Sequence, residues 1–368
     1  MTVAVALSLM AAELVVRTWY PQKLSLNVTR WDPDVGFSNL PGITGYGETA
    51  EYRMRMQINS RGLRDREFTL TKPAGTFRVG AFGDSFTFGE GVQNDETWPK
   101  RLEYYLAVDK SPGSGGRRVE VLNFGIGKTG TSHQLAWYRK EGRLYGLDVV
   151  VVGLFANDVG DSWGGVYSLD GSTLVHNATA YSSVRRIQSI VLRIPFYSWS
   201  ATHSHFFNLA RAAATTYDDM RRTRQAQAAQ VNGLVVPAAN DQAQDAALEE
   251  RKYQLTAALV DAFRSDVEGA GGHFLLMLIP QRGERPLTEY PASEAAQFVR
   301  HFDRLLKEAA GKGIDTYDLV PIFERQPDVE TYYFPRDGNF NATGHDVVGR
   351  LLAEHLQPQL QAISARNQ

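Results

Sequence analysis

Residues 77–89 read FRVGAFGDSFTFG. The first seven, Phe77–Gly83, form a short apolar run that ends in glycine, the pattern of a strand buried on both faces. The chain then turns through Asp84 and Ser85 into Phe86. A nucleophilic serine works best on such a tight strand-to-helix turn. Its hydroxyl is exposed there, and nearby backbone N–H groups face a developing oxyanion. A lone GDS occurs by chance, but GDSFTFG directly after a buried strand is far more specific. The competing explanation is an ordinary glycine turn with a capping serine.

Working outward, strands and helices alternate. WPKRLEYYLAV (Trp98–Val108) has helical spacing, VEVLNFG (Val119–Gly125) reads as a second buried strand, and Thr131–Tyr145 reads as a helix. DVVVVGLF (Asp148–Phe155) is a third strand. The pattern lapses from about Val159 to Ala247, a stretch with aromatic patches at Phe196–Trp199 and Phe206–Phe207 and an Ala/Gln-rich run over Arg221–Asp245. It resumes with a helix over Tyr253–Ala270, a strand HFLLMLIP (His273–Pro280), a helix over Ala295–Ala310, a strand IDTYDLV (Ile314–Val320) and a last helix over Ala342–Leu356. Such alternation implies a sheet covered by helices on both faces. The expected fold is therefore α/β: a three-layer α/β/α arrangement around a five-stranded, mainly parallel sheet, flavodoxin-like, with an insertion after the third strand. Ligands of open parallel sheets bind beyond the carboxyl ends of the strands, so an insertion there is placed to act as a lid or substrate wall.

The expected divisions are 1–17, an N-terminal helix or partial membrane anchor; 18–76, a segment wrapping the outside; 77–158 and 248–358, the two parts of the main domain; 159–247, the insertion; and 359–368, a tail. Residues 2–16 read TVAVALSLMAAELVV, apolar apart from Thr2, Ser8 and Glu13, with Arg17 following. That is short for a spanning helix, which needs about 20 apolar residues. It also lacks the basic flank of a signal sequence. It reads as the end of a membrane anchor, which would put the domain in the cell envelope, outside the cytoplasm. The alternative is an amphipathic helix docked on the domain.

The 368 residues carry a formal net charge of -2 and no cysteine. The charge balance gives no basic face for nucleic acid. Without cysteine there is no disulfide framework or thiolate metal site. No histidine or carboxylate spacing reads as a metal site, and no cofactor is implied. A nucleotide-binding reading fails because no G-x-G-x-x-G follows the first strand.

Two more turns belong on the Ser85 edge of a parallel sheet. LNFGIGKTG spans Leu122–Gly130 and FANDV spans Phe155–Val159. The Asn157 amide can donate to an oxyanion, which ionised Asp158 cannot; its plainer role would be a helix cap. DGNFNATGH, Asp337–His345, lies between the fifth strand and the final helix. Asp337 is placed to be the acid of a triad, and Asn341 to cap the helix.

With these blocks in view the sequence resembles the SGNH (GDSL-like) hydrolase superfamily from about Asn59 to Leu356, the insertion apart. GDSFTFG matches its first block and FAND its third. INSRGLRDREF (Ile58–Phe68) resembles the preamble of membrane-anchored or exported bacterial members. The resemblance implies Ser85 as nucleophile. It also implies an oxyanion hole from the Ser85 N–H, the Gly127–Lys128 turn and Asn157. It implies an ester of a carbohydrate or lipid as substrate: an acyl-ester small molecule or O-acylated glycan.

Two positions depart from the family pattern. Lys128 stands where the second block has glycine. Asn339 stands where the last block, often D-G-H-x-N-x-x-G-H, has its base histidine, and an amide cannot accept the serine proton as imidazole does. His345 is the nearest substitute base, followed by His133. His176, His203 and His205 could serve only if the insertion folds back. His273 should lie at the opposite sheet edge. Two functions remain open: a serine esterase or acyl-transfer enzyme, and a catalytically impaired relative acting as a binding or assembly module.

Overall fold

The strand expected over Phe77–Gly83 forms as β1 (Thr76–Gly83), buried along its whole length. The structure is a computed structural model and describes residues 2–25, 28–108, 118–177, 196–214, 241–282 and 292–366. The other core strands are β2 (Arg118–Asn123), β3 (Val149–Leu154), β4 (His273–Leu278) and β5 (Asp315–Asp318). They form one sheet in the order β5-β4-β3-β1-β2. Every neighbouring pair is parallel. The sheet is therefore wholly parallel, where a mainly parallel one was expected.

Helices cover both faces. The described helices include α1 (Thr2–Trp19), α2 (Ser85–Phe88), α3 (Trp98–Val108), α4 (Thr131–Lys140), α5 (Asp158–Ser162), α6 (Tyr197–His203), α7 (Asp241–Gly269), α8 (Ala292–Gly311) and α9 (Ala342–Arg366), of which α3 and α9 pack on one face and α4 and α7 on the other. The valines of β3 explain the layering. Val149 and Val151 pack with Leu102, Val348 and Leu352 of α3 and α9, while Val150 and Val152 pack with Leu135 of α4 and Phe263 of α7. Each buried valine side chain stabilises the fold by roughly 1.5–3 kcal/mol, and this continuous run allows only a doubly covered strand.

Two helices are longer than their apolar spacing indicates. α7 starts at Asp241 and α9 runs to Arg366 through Pro358. The added residues are rich in Ala, Gln, Glu and Leu, which favour helix without any apolar stripe. α7 thus crosses the expected insertion boundary at 247, and α9 continues past 358. The Ala/Gln-rich run lies mostly outside the described residues. Within the N-terminal segment, two-stranded pairings join 29–32 with 36–39 and 44–48 with 53–57. Val28, Met54, Met56 and Ile58 cluster with Phe88 of α2, so this segment packs against the Ser85 turn.

Candidate active site

Ser85 opens α2 directly after β1. The Asp84 carboxylate caps this short helix, Oδ1 accepting from the Phe86 N–H at 3.0 Å. As the first residue of the helix, Ser85 has an N–H with no intrahelical acceptor. The turn ends at Gly89, whose φ of 89° is left-handed. The N–H groups of Gly89 and Glu90 both return to the Ser85 carbonyl, at 2.8 and 3.0 Å. The fully buried Arg64 guanidinium donates to the carbonyls of Phe88, Gly89 and Val92. Burial lowers its pKa to about 10, against the raising effect of Glu90 and Glu96. It remains a cation at neutral pH, fastening the back of the Ser85 turn.

The other two turns close on this one. A Cβ at Gly125 would lie 2.2 Å from the Phe88 backbone nitrogen, so only glycine lets the second turn pack on α2. A Cβ at Gly130 would lie 2.6 Å from the Asp158 carbonyl oxygen and the Ser162 nitrogen, which ties the second turn to the third. Between them Lys128 is exposed with a φ of 64°. A non-glycine residue there is strained by roughly 1–2 kcal/mol.

Asn157 stands at the N-cap position of α5, but its side chain makes no capping bond and its Oδ1 is buried without a partner. Its neighbour Asp158 is fully buried and does the local bonding. Its Oδ2 accepts from the Phe155 N–H at 2.7 Å and its Oδ1 from the Gln134 amide at 2.8 Å. Asp158 and Asp84 form a buried acidic pair. Burial raises the Asp84 pKa, the Phe86 N–H opposes this, nearby Asp161 adds to it, and the Asn157 amide opposes it in turn. Burial and the Asp84 charge raise the Asp158 pKa further.

The last block docks on the same turn. The Phe340 ring meets Phe86 edge-on at 4.8 Å between centroids. The Tyr52 hydroxyl reaches Asp337 Oδ2 at 3.0 Å and Glu90 Oε1 at 3.2 Å. The Glu51 carboxylate accepts from the N–H groups of Arg336 and Asp337, both at 2.8 Å. Asn339 donates from Nδ2 to Asp337 Oδ1 at 2.6 Å, and its Oδ1 is buried without a partner. Asn341 caps α9, its Oδ1 accepting from the N–H groups of Thr343 and Gly344 at 3.0 and 3.2 Å. Tyr52, Glu51, Glu90 and Lys23 are site-adjacent residues that the motifs do not mark. Lys23 pairs with Glu90 at 2.7 Å. Partial burial lowers its pKa, but Glu90 and Asp337 more than offset that, so it is raised and Lys23 stays an ammonium that accepts no proton.

The histidines are engaged elsewhere. His345 is fully buried, and its Nδ1 accepts from the Trp98 N–H at 3.1 Å at the start of α3. Burial, with the Arg64 charge, pushes its pKa down to about 3. A ring committed to a helix cap, with so low a pKa, is a packing element rather than a base. His133 packs on Phe37, with ring centroids 5.8 Å apart. His176 bonds to the Asp34 carbonyl at 2.8 Å, His203 stacks on Trp199, and His205 accepts from the Gln22 N–H at 2.8 Å. His273 pairs with Asp315 at 2.8 Å at the amino ends of β4 and β5. Among the described residues no group of three or more His, Cys, Asp or Glu is arranged to hold a metal ion.

Residues 212–368 match the family model described as "SGNH hydrolase-like domain, acetyltransferase AlgX". Over these residues the chain resembles the SGNH/GDSL-like superfamily. The match covers the part of this SGNH-like protein that carries Asp337 and Asn339; Ser85 and Asn157 precede it. Similar solved structures include a lipase/acylhydrolase from Enterococcus faecalis, 15% identical over 77% of this chain and 96% of that one, with a TM-score of 0.39. A GDSL-like lipase from Bacteroides thetaiotaomicron VPI-5482 is 10% identical over 77% and 88%, with a TM-score of 0.39. A member of the lipolytic protein G-D-S-L family from Veillonella parvula DSM 2008 is 11% identical over 76% and 97%, with a TM-score of 0.39. Likeness at this level is distant, and nothing about activity or substrate follows from it. No curated protein matches the chain.

Proposed function

We propose that this SGNH-like protein handles acyl esters through Ser85 and that its proton-transfer step is crippled by Asn339. The Ser85 Oγ would attack the ester carbonyl carbon. The oxyanion would receive the Ser85 N–H, the backbone of the Gly127–Lys128 turn and the Asn157 amide. The substrate would be an O-acylated carbohydrate or lipid of the cell envelope. Transfer to an alcohol, as in the acetyltransferase name of the matched family, is the same chemistry with the alcohol replacing water.

One observation carries the reading: the 2.6 Å bond from Asn339 to Asp337. The carboxylate only accepts, so the amide must present Nδ2 to it and Oδ1 to the other side. That reproduces the polarity of an imidazole held by a carboxylate, a donor behind and an acceptor in front. It lacks the basicity, so the Ser85 proton would have to leave to water. Loss of one triad member leaves residual catalysis of roughly 10³–10⁴-fold over water, from the oxyanion hole and binding. The same bond favours a second reading, an acyl- or glycan-binding or assembly module that no longer turns over.

Hydrolysis of a short-chain aryl ester by the native chain, Ser85→Ala and Asn339→His separates them. Slow turnover abolished by Ser85→Ala supports the acyl-ester reading. A native chain that is inert but gains activity with Asn339→His favours the binding module. Activity unaffected by Ser85→Ala sinks both.

A further inference from the structure

Helix α1 is polar on the inside and apolar on the outside. Between Val3 and Trp19 only Glu13 and Arg17 are charged, and both turn toward the body of the protein. Glu13 accepts from the Ser204 hydroxyl at 2.8 Å and from the N–H groups of His205 and Phe206 at 3.1 and 2.9 Å, capping a helix over 205–214. Arg17 donates to the His203 carbonyl at 2.8 Å and to Glu13 at 3.0 Å. A helix lying on a protein in water has the reverse polarity.

Residues 3–11 are exposed without exception, hence around the whole circumference. Val3, Leu7 and Met10 are 71%, 58% and 61% exposed. The Ser8 hydroxyl bonds back to the Ala4 carbonyl at 2.9 Å, and Thr18 to the Leu14 carbonyl at 2.8 Å. No polar side chain on this rod needs water, which is the condition hydrocarbon imposes. Exposed aromatic residues gather where the charges begin: Trp19 and Tyr20 at the end of α1, and Phe196 and Trp199 at α6. Aromatic side chains concentrate at that depth of a bilayer.

We propose that α1 enters a lipid bilayer with residues 3–11, and that the pair formed by α6 and the helix over 205–214 rests on the membrane surface. Nine residues span about 14 Å, nearly half of the ~30 Å hydrocarbon thickness, so this stretch of α1 reaches about one leaflet deep. Among the described residues no helix is long and apolar enough to cross. Charge complementarity favours lipid as the occupant. The buried-to-be surface carries no charge, and the first cation beyond it is Arg17, whose side chain is 53% exposed; a cation at that position favours anionic headgroups. A second copy of the chain could cover only one side of a rod that is apolar all round. The inference is independent of the chemistry at Ser85.

The full chain, diluted from detergent into phosphatidylcholine vesicles with and without phosphatidylglycerol, is followed by flotation. Most of it should float, more with the anionic lipid. Leu7→Glu with Met10→Glu should lower the vesicle-bound fraction at least tenfold, and Phe196→Ser with Trp199→Ser about threefold. All four sites are exposed, so thermal unfolding should not change. A chain that stays in the aqueous fraction, charged variants that float like the native chain, or a stable dimer that shields α1 from vesicles would overturn the proposal.

Discussion

The Asn339 amide donates to the Asp337 carboxylate at 2.6 Å, and Tyr52 holds the other oxygen of that carboxylate at 3.0 Å. In Asn339→His the imidazole N–H would take over the first bond, leaving its second nitrogen to accept the Ser85 proton. Ester hydrolysis should rise by two orders of magnitude or more, the usual contribution of a positioned base being roughly 10²–10⁴-fold. The carboxylate raises the imidazole pKa above its usual value of about 6.5. The neutral ring is the base, so activity should climb as pH rises through about 7. Adding Tyr52→Phe should then lower kcat several-fold with KM unchanged, since Tyr52 orients Asp337 and touches no substrate. An unchanged kcat would remove Tyr52 from the site's support.

Among the described residues Arg64 has no side-chain carboxylate partner in hydrogen-bonding reach. It satisfies three carbonyls at the end of the Ser85 turn and also reaches Asn94 Oδ1 at 3.1 Å. Arg64→Ala would leave the Val92 carbonyl without this donor and the Phe88 and Gly89 carbonyls with only long bonds, from Asn123 Nδ2 at 3.5 Å and the Val92 N–H at 3.3 Å, at roughly 1–3 kcal/mol for each weakened group. A loss of about 3 kcal/mol or more is expected in urea unfolding. A loss below about 1 kcal/mol would mean that water replaces the guanidinium freely.

Lys128 keeps its left-handed backbone without a glycine. Relief of that strain, roughly 1–2 kcal/mol, is partly offset by the roughly 0.5–1 kcal/mol that glycine's freedom costs on folding. Lys128→Gly should therefore stabilise by between nil and about 1 kcal/mol. Lys128→Val, branched at Cβ, should destabilise. Thermal unfolding of the two variants checks the order; a valine variant as stable as the glycine one would argue against a strained turn.

The sheet was legible because β1, β3 and β4 are buried on both faces, and such strands are continuous apolar runs. The start of α7 was not, because Asp241–Glu250 is good helix sequence with no apolar stripe and no turn residue to mark an end. The Ser85 and Asn157 turns could be located from short motifs, since tight turns constrain local residue types. Tyr52 could not. It lies 285 residues from Asp337, in a polar segment whose residues look like any solvated surface. Arg64 was equally hidden: burial of an arginine depends on which carbonyls the fold brings to it, and sequence spacing carries no record of that.

The acidic pair behind the serine turn makes stability depend on pH in an unusual direction. Burial raises the Asp84 pKa to about 7, and Asp158 is raised as well by burial and by Asp84. An unfolded aspartate titrates near 3.9. Between about pH 4 and 7 the folded protein therefore binds more protons than the unfolded chain. Stability from this pair is fully present at the acid end of that window and falls as pH rises through it. Asp84→Asn tests this cleanly. Its Oδ1 keeps the Phe86 cap, and its Nδ2 replaces an Oδ2 that has no hydrogen-bond partner. The variant should be as stable as the native chain at pH 5 and more stable at pH 8, by on the order of 1 kcal/mol or more. Urea unfolding across pH 4–8 reads the slope directly. A native chain whose stability does not fall across that range more than the variant's would mean that burial does not hold the Asp84 carboxyl above its usual pKa.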